Sequence, residues 1–183
     1  MAASNSRYQG KPLLRLLECY VLWAIDRLAE TDANTLKEMR DETWQALEDL
    51  FSRTPILKAG AVDLDEIVAA EQEVGIPLGA DYREFVHRYG GAFVGPFPVF
   101  GLRKALPMGR NEVSFVEVTK TFRQQGWPGV EKWAVISKDH AGNPVGLDAE
   151  GKVWIYDHDA RAVQLIATTF EAYLRRQCLH LAD

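Results

Sequence analysis

The sequence predicts an α+β fold, in which an antiparallel sheet of four to six strands packs with helices and is preceded by an N-terminal α-helical hairpin. Apolar residues repeat at helical spacing through the first half of the chain. Short apolar runs separated by turn residues then fill residues 133–167, and one more helical repeat follows them. Helices, a meander of short strands and a closing helix, in this order, are typical of an α+β domain.

Length and composition are those of an ordinary globular protein. The 183 residues, 47% hydrophobic and 26% charged, suit one medium domain, or a domain of about 120 residues with a helical extension. A formal net charge of −5 argues against a nucleic-acid partner, because phosphate binding requires clustered Lys and Arg. It favours a basic protein partner. The two cysteines, Cys19 and Cys178, are expected to be reduced thiols.

Neither a secretory nor a membrane segment is predicted. Residues 1–11 are polar, and the longest apolar run near them, at 20–25, is far shorter than the roughly 20 residues that span a bilayer. We therefore expect a cytoplasmic protein with no membrane partner.

Residues 12–52 carry two amphipathic helical repeats, separated by a break at Thr31-Asp32. The first apolar stripe consists of Leu13, Leu16, Leu17, Tyr20, Ala24 and Leu28. The second consists of Leu36, Met39, Thr43, Leu47 and Leu50, widened by Trp44 and Phe51. Two such helices predict an antiparallel hairpin. It must bury its stripes on the rest of the chain or on a second copy, so a homodimer through the hairpin is one of two alternatives.

The loop at residues 52–61, with Pro55 and Gly60, is the predicted domain boundary. It divides the chain into a hairpin extension, residues 1–58, and an α+β domain, residues 62–183.

Two helices are predicted between residues 63 and 91. Asp63 and Glu66 form a D-x-x-E capping pattern for the first helix, which Gly75 ends in the left-handed conformation. Asp81 is the predicted cap of the second helix, whose apolar stripe comprises Tyr82, Phe85, Val86 and Tyr89.

The apolar run at residues 92–102 predicts an edge strand or a bulged strand, because Pro96 and Pro98 cannot donate to a ladder. Asn111 is the predicted cap of a helix that ends near Gln125.

Four short strands are predicted in the C-terminal part, at residues 133–137, 145–147, 153–156 and 162–167. Thr168 or Thr169 then caps a last helix that turns Phe170, Tyr173 and Leu174 inward.

Four segments with recognisable patterns follow one another along the chain. They are residues 67–91 (a helix, G-I-P, D-Y-R-E-F and a double glycine), 97–102 (F-P-V-F-G-L), 133–159 (with G-N-P-V-G-L-D, E-G-K-V-W and D-H-D) and 169–174 (T-F-E-A-Y-L). Together, over about residues 62–178, they resemble the SUKH superfamily, also called cell-wall-assembly-regulator-like. Gly90 departs from many relatives, which have Asn there, but both residues tolerate a positive φ.

The resemblance implies a binding module. Most bacterial members of the superfamily resemble immunity proteins, which bind the toxins of polymorphic toxin systems and have no catalysis of their own. Other members are regulatory interaction proteins.

The polar clusters at Asp139-His140 and residues 157–159 admit a metal or acid–base interpretation. Both lie in predicted turns, however, where Asp and Asn are favoured for local hydrogen bonds, and no H-x-x-H, H-E-x-x-H or C-x-x-C spacing accompanies them. Cys178 and His180 would not face each other on a helix. The glycines of residues 142–151 do not form a phosphate-binding loop before a helix. We therefore predict no enzyme, and no catalytic, metal or cofactor-binding residue.

Two stretches are strongly acidic: residues 63–84, with seven acidic residues and one basic residue, and residues 139–159, with five and one. They are either solvated faces or a surface that docks on a basic partner. The predicted partner-binding residues are Asp139, His140, Asp148, Trp154, Asp157 and Asp159.

The preferred function is an immunity protein that binds a cognate toxin and neutralises it by stoichiometric occlusion. Because no secretory signal is predicted, the toxin is expected to act in the cytosol, for example as a nuclease. The alternative is a non-enzymatic regulatory scaffold for endogenous protein partners.

Overall fold

The structure, a computed structural model, describes residues 39–110 and 113–182, which belong to one compact unit, Leu36–Asp183. It confirms the predicted α+β fold, with five α-helices and two antiparallel sheets of two and four strands within these residues. The first predicted hairpin helix, residues 12–31, lies outside the described residues, and so does a homodimer contact through it. The helices are α1 (Asp41–Arg53), α2 (Leu64–Val74), α3 (Ala80–Tyr89), α4 (Phe115–Gln124) and α5 (Phe170–Tyr173), the last continued by a π-helical turn, Leu174–Cys178.

Helix α1 corresponds to the second predicted hairpin helix and packs into the same core as the sheet. Thr43, Leu47 and Phe51 are its buried residues. The Phe51 ring lies 4.7 Å from the Tyr89 ring of α3, and the Tyr89 hydroxyl donates to Glu48 Oε1 over 2.7 Å. The proposed division of the chain near residue 60 stays a prediction.

Helix α3 confirms its predicted apolar stripe, whereas α2 buries Ile67 and Val74 but leaves Leu64 and Val68 51% and 42% exposed. Neither helix has a side-chain hydrogen bond at its N-cap. Gly75 ends α2 with φ of 74°, as expected. Asp63 occupies the N-cap position of α2, as predicted, but its side chain makes no cap bond. The Glu66 carboxylate binds Arg103 Nη2 over 2.7 Å. Helix α3 begins at Ala80, so Asp81 lies inside its first turn rather than at its cap.

The run that follows α3 forms a β-hairpin instead of one edge or bulged strand. Strand β1 (Ala92–Val94) pairs antiparallel with β2 (Phe97–Val99) around a turn at Gly95, whose φ is 56°. The two strands form a separate sheet, so Pro98 costs no bond of the larger sheet.

Helix α4 starts later than predicted. Its cap is Ser114, whose Oγ accepts from Glu117 N over 3.2 Å, and not Asn111, which lies outside the described residues. The Thr119 hydroxyl then accepts from Val135 N over 2.8 Å and so ties α4 to the first strand of the large sheet.

The large sheet is an antiparallel meander in the order β3–β4–β5–β6, as predicted. Its strands are β3 (Ala134–Lys138), β4 (Pro144–Leu147), β5 (Val153–Asp157) and β6 (Ala162–Ala167). The edge of β3 is covered by the segment after β2, because Phe100 N donates to Ile136 O over 2.7 Å. Thr169 caps the closing helix by accepting from Ala172 N over 3.1 Å.

Candidate partner-binding surface

The six predicted partner-binding residues do not lie together. In an antiparallel meander, the β3–β4 and β5–β6 turns lie at one end of the sheet and the β4–β5 turn at the other. Asp139, His140, Asp157 and Asp159 therefore occupy one end. Asp148 and Trp154 lie at the opposite end.

The Asp139 carboxylate stabilises the β3–β4 turn by accepting hydrogen bonds from within it. Its Oδ1 accepts from Ala141 N over 2.9 Å and from Asn143 N over 2.8 Å, and its Oδ2 accepts from Asn143 Nδ2 over 2.8 Å. His140 is exposed and packs its ring on Phe97, with 4.9 Å between the ring centroids.

Asn143 joins the two turns at this end, a role that the sequence analysis missed. It is 4% exposed, and its Oδ1 accepts from the His158 backbone N over 3.1 Å and from His158 Nδ1 over 2.6 Å. Because an amide oxygen only accepts, Nδ1 carries a proton. Nothing in the local pattern distinguishes this Asn from an ordinary turn residue.

The two aspartates of the β5–β6 turn, Asp157 and Asp159, have different roles. Asp157 Oδ1 accepts from Asp159 N over 2.9 Å and from Ala160 N over 3.0 Å, so this carboxylate belongs to the turn. The Asp159 side chain is 86% exposed and lies 3.2 Å from His158 Nε2. Asp159 is therefore the aspartate of this turn whose charge stays exposed to solvent.

At the other end, Asp148 fixes Trp154. Its Oδ1 accepts from the backbone N of Glu150 and of Lys152, over 3.0 and 2.9 Å, and its Oδ2 accepts from Trp154 Nε1 over 2.6 Å. Asp148 is only 8% exposed, so it orients the indole rather than meeting a partner. The Trp154 ring lies parallel to that of Trp133, at 10° and 6.5 Å.

Four side chains of β5 and β6 form one face of the sheet, which we call the outer face. Trp154 pairs with Leu165 and Tyr156 with Val163, and directly opposed residues of an antiparallel pair point to the same side. Val163 and Leu165 are 44% and 47% exposed. Their alternation with Gln164 was the sequence signal that could have identified them.

A groove of about 700 Å³ borders the outer face. Its lining includes Trp133, Trp154 and Val163, and its charged groups are Glu131, Asp148, Glu150 and Lys132. Three carboxylates against one ammonium make the groove acidic, and Glu131 and Glu150 are exposed.

Arg123 fixes the position of the segment 129–133, which lines one side of this groove. Its guanidinium donates to the backbone oxygens of Val130, Val74 and Trp133 over 3.0, 2.7 and 3.1 Å. Burial lowers the pKa of Arg123, and the three carbonyl acceptors compensate for the lost hydration. The segment that carries Glu131 is therefore anchored to α2 and α4.

The other acidic stretch, residues 63–84, is largely neutralised. Ion pairs join Glu66 to Arg103, Glu71 to Arg83, Glu73 to Lys120 and Glu84 to Arg88. Asp81 is buried, and burial raises its pKa. The charge available for docking is therefore smaller here than the sequence suggests.

Metal-ligand clusters and the Cys178 thiol are two further candidate features of the described residues. Within them, no group of three or more His, Cys, Asp and Glu side chains is placed to hold a metal ion. Cys178 is 2% exposed, and burial raises the pKa of its thiol to about 12, so the thiolate that a nucleophile requires is not formed at neutral pH. No helix in residues 39–110 or 113–182 has the length and apolar character to cross a membrane.

Comparison with known proteins agrees with this architecture. The crystal structure of a protein from Pseudomonas syringae pv. tomato superposes with a TM-score of 0.54 at 17% identity, over 68% of this chain and 87% of the other. That likeness shows the fold alone. No curated protein matches the chain. The pattern of the SMI1 / KNR4 family (SUKH-1) matches residues 61–176, which is more than half of the sequence, and the chain therefore belongs to this family.

Proposed function

We propose that this protein is an immunity protein, which binds a cognate toxin in the cytoplasm and neutralises it by stoichiometric occlusion. The observation that carries the proposal is the outer face, where exposed apolar side chains adjoin an acidic groove. Such a combination is typical of a protein interface, with an apolar anchor at the centre and charged residues at the rim. Membership of the SUKH-1 family is consistent with this role.

Trp154 is the proposed anchor of the interface. It is half-buried, and the Asp148 carboxylate holds its indole in one orientation. A large aromatic ring that is already immobilised loses little conformational entropy on binding, so more of its contact energy contributes to affinity. Tyr156 is restricted by a ring contact instead: the Trp127 ring packs perpendicular to it, with 5.8 Å between the two centroids.

Glu131, Glu150 and Asp159 are the proposed steering charges. All three are exposed, and they flank the outer face at both ends of the sheet. Carboxylates placed in this way accelerate the encounter with a basic protein. In a toxin that acts on nucleic acid or nucleotides, they would occupy the basic groove that otherwise binds phosphate. A nuclease is accordingly the toxin class that we favour.

The test is binding kinetics with the toxin-like protein encoded beside this gene, at two salt concentrations. The triple variant Glu131→Lys, Glu150→Lys and Asp159→Lys avoids the turn-forming carboxylates of Asp139 and Asp157. Each charge contributes roughly 0.2–1 kcal/mol, so we expect association to slow by about tenfold and to depend less on salt. Asp65→Lys, on the exposed side of α2, is the matched control.

Trp154→Ala separates the anchor from the steering charges. We expect it to accelerate dissociation by about 30-fold, with a small effect on association. Wild-type binding and wild-type protection of cells by both variants would place the interface elsewhere. If no toxin binds and an endogenous protein is captured through this surface instead, the regulatory scaffold is the better description.

A further inference from the structure

Strand β6 is an edge strand whose residues 162–165 lack the usual protection, although a register shift at Ile166 follows them. Within the described residues, β5 is its one strand neighbour, whereas the other edge of the sheet is covered. Its sequence, Ala162-Val163-Gln164-Leu165-Ile166-Ala167, contains no charged residue, Pro or Gly. Edge strands of monomeric proteins are usually blunted by charges, Pro or bulges, because a free edge pairs with other chains.

The edge is regular where it is most exposed. Pairing with β5 runs without interruption from Ala162 to Leu165, and the register shift follows only between Leu165 and Ala167. Val163, Gln164 and Leu165 are all exposed. The two apolar residues of this group lie symmetrically on either side of Gln164.

We propose that β6 pairs antiparallel with β6 of a second copy of this chain, about a two-fold axis at Gln164. In this arrangement Val163 lies opposite Leu165 of the second copy, and the reverse pair completes the contact. The exposed apolar side chains of the two copies then pack side by side across the axis, in the reciprocal contacts of an isologous two-fold dimer. The two four-stranded sheets become one sheet of eight strands.

Charge selects a second copy over the basic partner proposed above. The β6 edge offers no carboxylate to a basic strand, and it meets its own copy without like-charge repulsion. The acidic turns lie apart in such a dimer: they begin beyond Ala162, which is two residues from the axis, so the two Ala162 residues alone are separated by roughly 13 Å at about 3.3 Å per residue. This exceeds the Debye length of about 8 Å at physiological salt.

The inference does not rest on the proposed function, since self-association needs no toxin. It adds that two outer faces lie side by side on one continuous sheet. The contact is one strand pair with four apolar side chains, which is smaller than a typical stable interface. We therefore expect a dimer that dissociates on dilution.

Sedimentation velocity of the full chain, from about 1 to about 300 µM, tests the proposal, and a monomer–dimer equilibrium is the expected result. Gln164→Lys and Gln164→Glu each place like charges opposite each other at the axis, which destabilises an antiparallel pair. We expect each variant alone to raise the dimer dissociation constant at least about tenfold. An equimolar mixture of the two variants pairs opposite charges and should restore the dimer.

The same two substitutions at Gln177, which is exposed near the C-terminus, are the matched controls and should leave association unchanged. Circular dichroism checks that all variants are folded. A chain that stays monomeric over the whole range overturns the proposal. So does a dimer that neither Gln164 variant weakens, which is the outcome expected if the N-terminal segment makes the contact, and so does a mixture that associates no better than its components.

Discussion

The side chain of Glu171 ties the closing helix α5 to the start of α1. It is 5% exposed, and its Oε1 accepts from the Arg40 backbone N, from Arg40 Nε and from the Thr43 hydroxyl, over 3.0, 3.0 and 2.7 Å. Its own backbone N donates to Asp81 Oδ2 over 3.0 Å. Burial opposes ionisation of Glu171, but the hydrogen bonds outweigh burial and lower its pKa. The carboxylate is therefore ionised in the folded protein.

Replacing Glu171 should make stability depend less on pH. Because its pKa is lower in the folded state than in the unfolded state, the carboxylate stabilises the fold above about pH 4.3, and this contribution is lost as the pH falls through the folded pKa. We expect Glu171→Gln to lower the free energy of unfolding by about 1–3 kcal/mol at pH 7. The difference from wild type should shrink at pH 3.5.

Urea unfolding at the two pH values measures this effect. Asp49→Asn, an exposed carboxylate of α1, is the control and should change stability by less than about 0.5 kcal/mol at either pH. A Glu171→Gln deficit that is equal at pH 7 and pH 3.5 would show that the side chain contributes through shape rather than through charge.

At the scale of the elements, strand β4 has a glycine, Gly146, where the Trp133 side chain packs against it. Gly146 lies opposite Val135 in β3 and Trp154 in β5, and Trp133 packs over it. A Cβ at Gly146 would lie 2.5 Å from Trp133 Cβ. Trp133 in turn lies parallel to Trp154, so the packing of β4 reaches the outer face.

Gly146→Ala should therefore destabilise the protein without any backbone strain of its own. The added methyl group must displace Trp133, and we expect a loss of about 1–3 kcal/mol in the free energy of unfolding. Gly79→Ala is the comparison variant: its added Cβ would meet a carboxylate oxygen of Asp81 at 3.0 Å, a milder overlap, so we expect a smaller loss. Thermal melts and intrinsic tryptophan fluorescence report the two effects. An Ala variant with wild-type melting and fluorescence would mean that Trp133 has room to move.

At the scale of the whole molecule, helix α1 lies outside the residues that match the family pattern but inside the hydrophobic core. Leu47 is fully buried and Phe51 is 1% exposed. The contact of the Phe51 ring with Tyr89 and the hydrogen bond of Thr43 with Glu171 bind α1 to both α3 and α5. Residues 61–176 are therefore expected to need this helix for full stability.

A shortened chain that starts at residue 60 should be strongly destabilised. Burial of a Leu or Phe side chain contributes about 1.5–3 kcal/mol, so the loss of Leu47 and Phe51 alone removes about 3–6 kcal/mol from a typical total of about 5–15 kcal/mol. Circular dichroism melts measure the loss. A chain that starts at residue 39 keeps α1 and should retain a cooperative transition. Equal melting of both shortened chains would mean that α1 is a passive extension.

Local patterns in the sequence determined most of the secondary structure. Short apolar runs, separated by turns rich in Asp, Asn and Gly, placed all four strands of the large sheet to within one residue at each end. Gly75 and Thr169 marked helix ends because their roles depend on the backbone of their own segment. The capping pattern of Asp63 and Glu66 placed the start of α2 correctly but missed the main partner of the Glu66 carboxylate, because that partner, Arg103, is distant in the sequence.

The family resemblance also came from the sequence, because turn and packing motifs persist in order along the chain. Which carboxylates remain free to meet a partner was decided only by the tertiary structure. Asp139 and Asp157 are bound by turn amides and Asp148 by an indole, whereas Asp159 stays exposed. Sequence patterns report charge and local spacing. A carboxylate's hydrogen-bond partners and exposure depend on chain segments that only folding brings together.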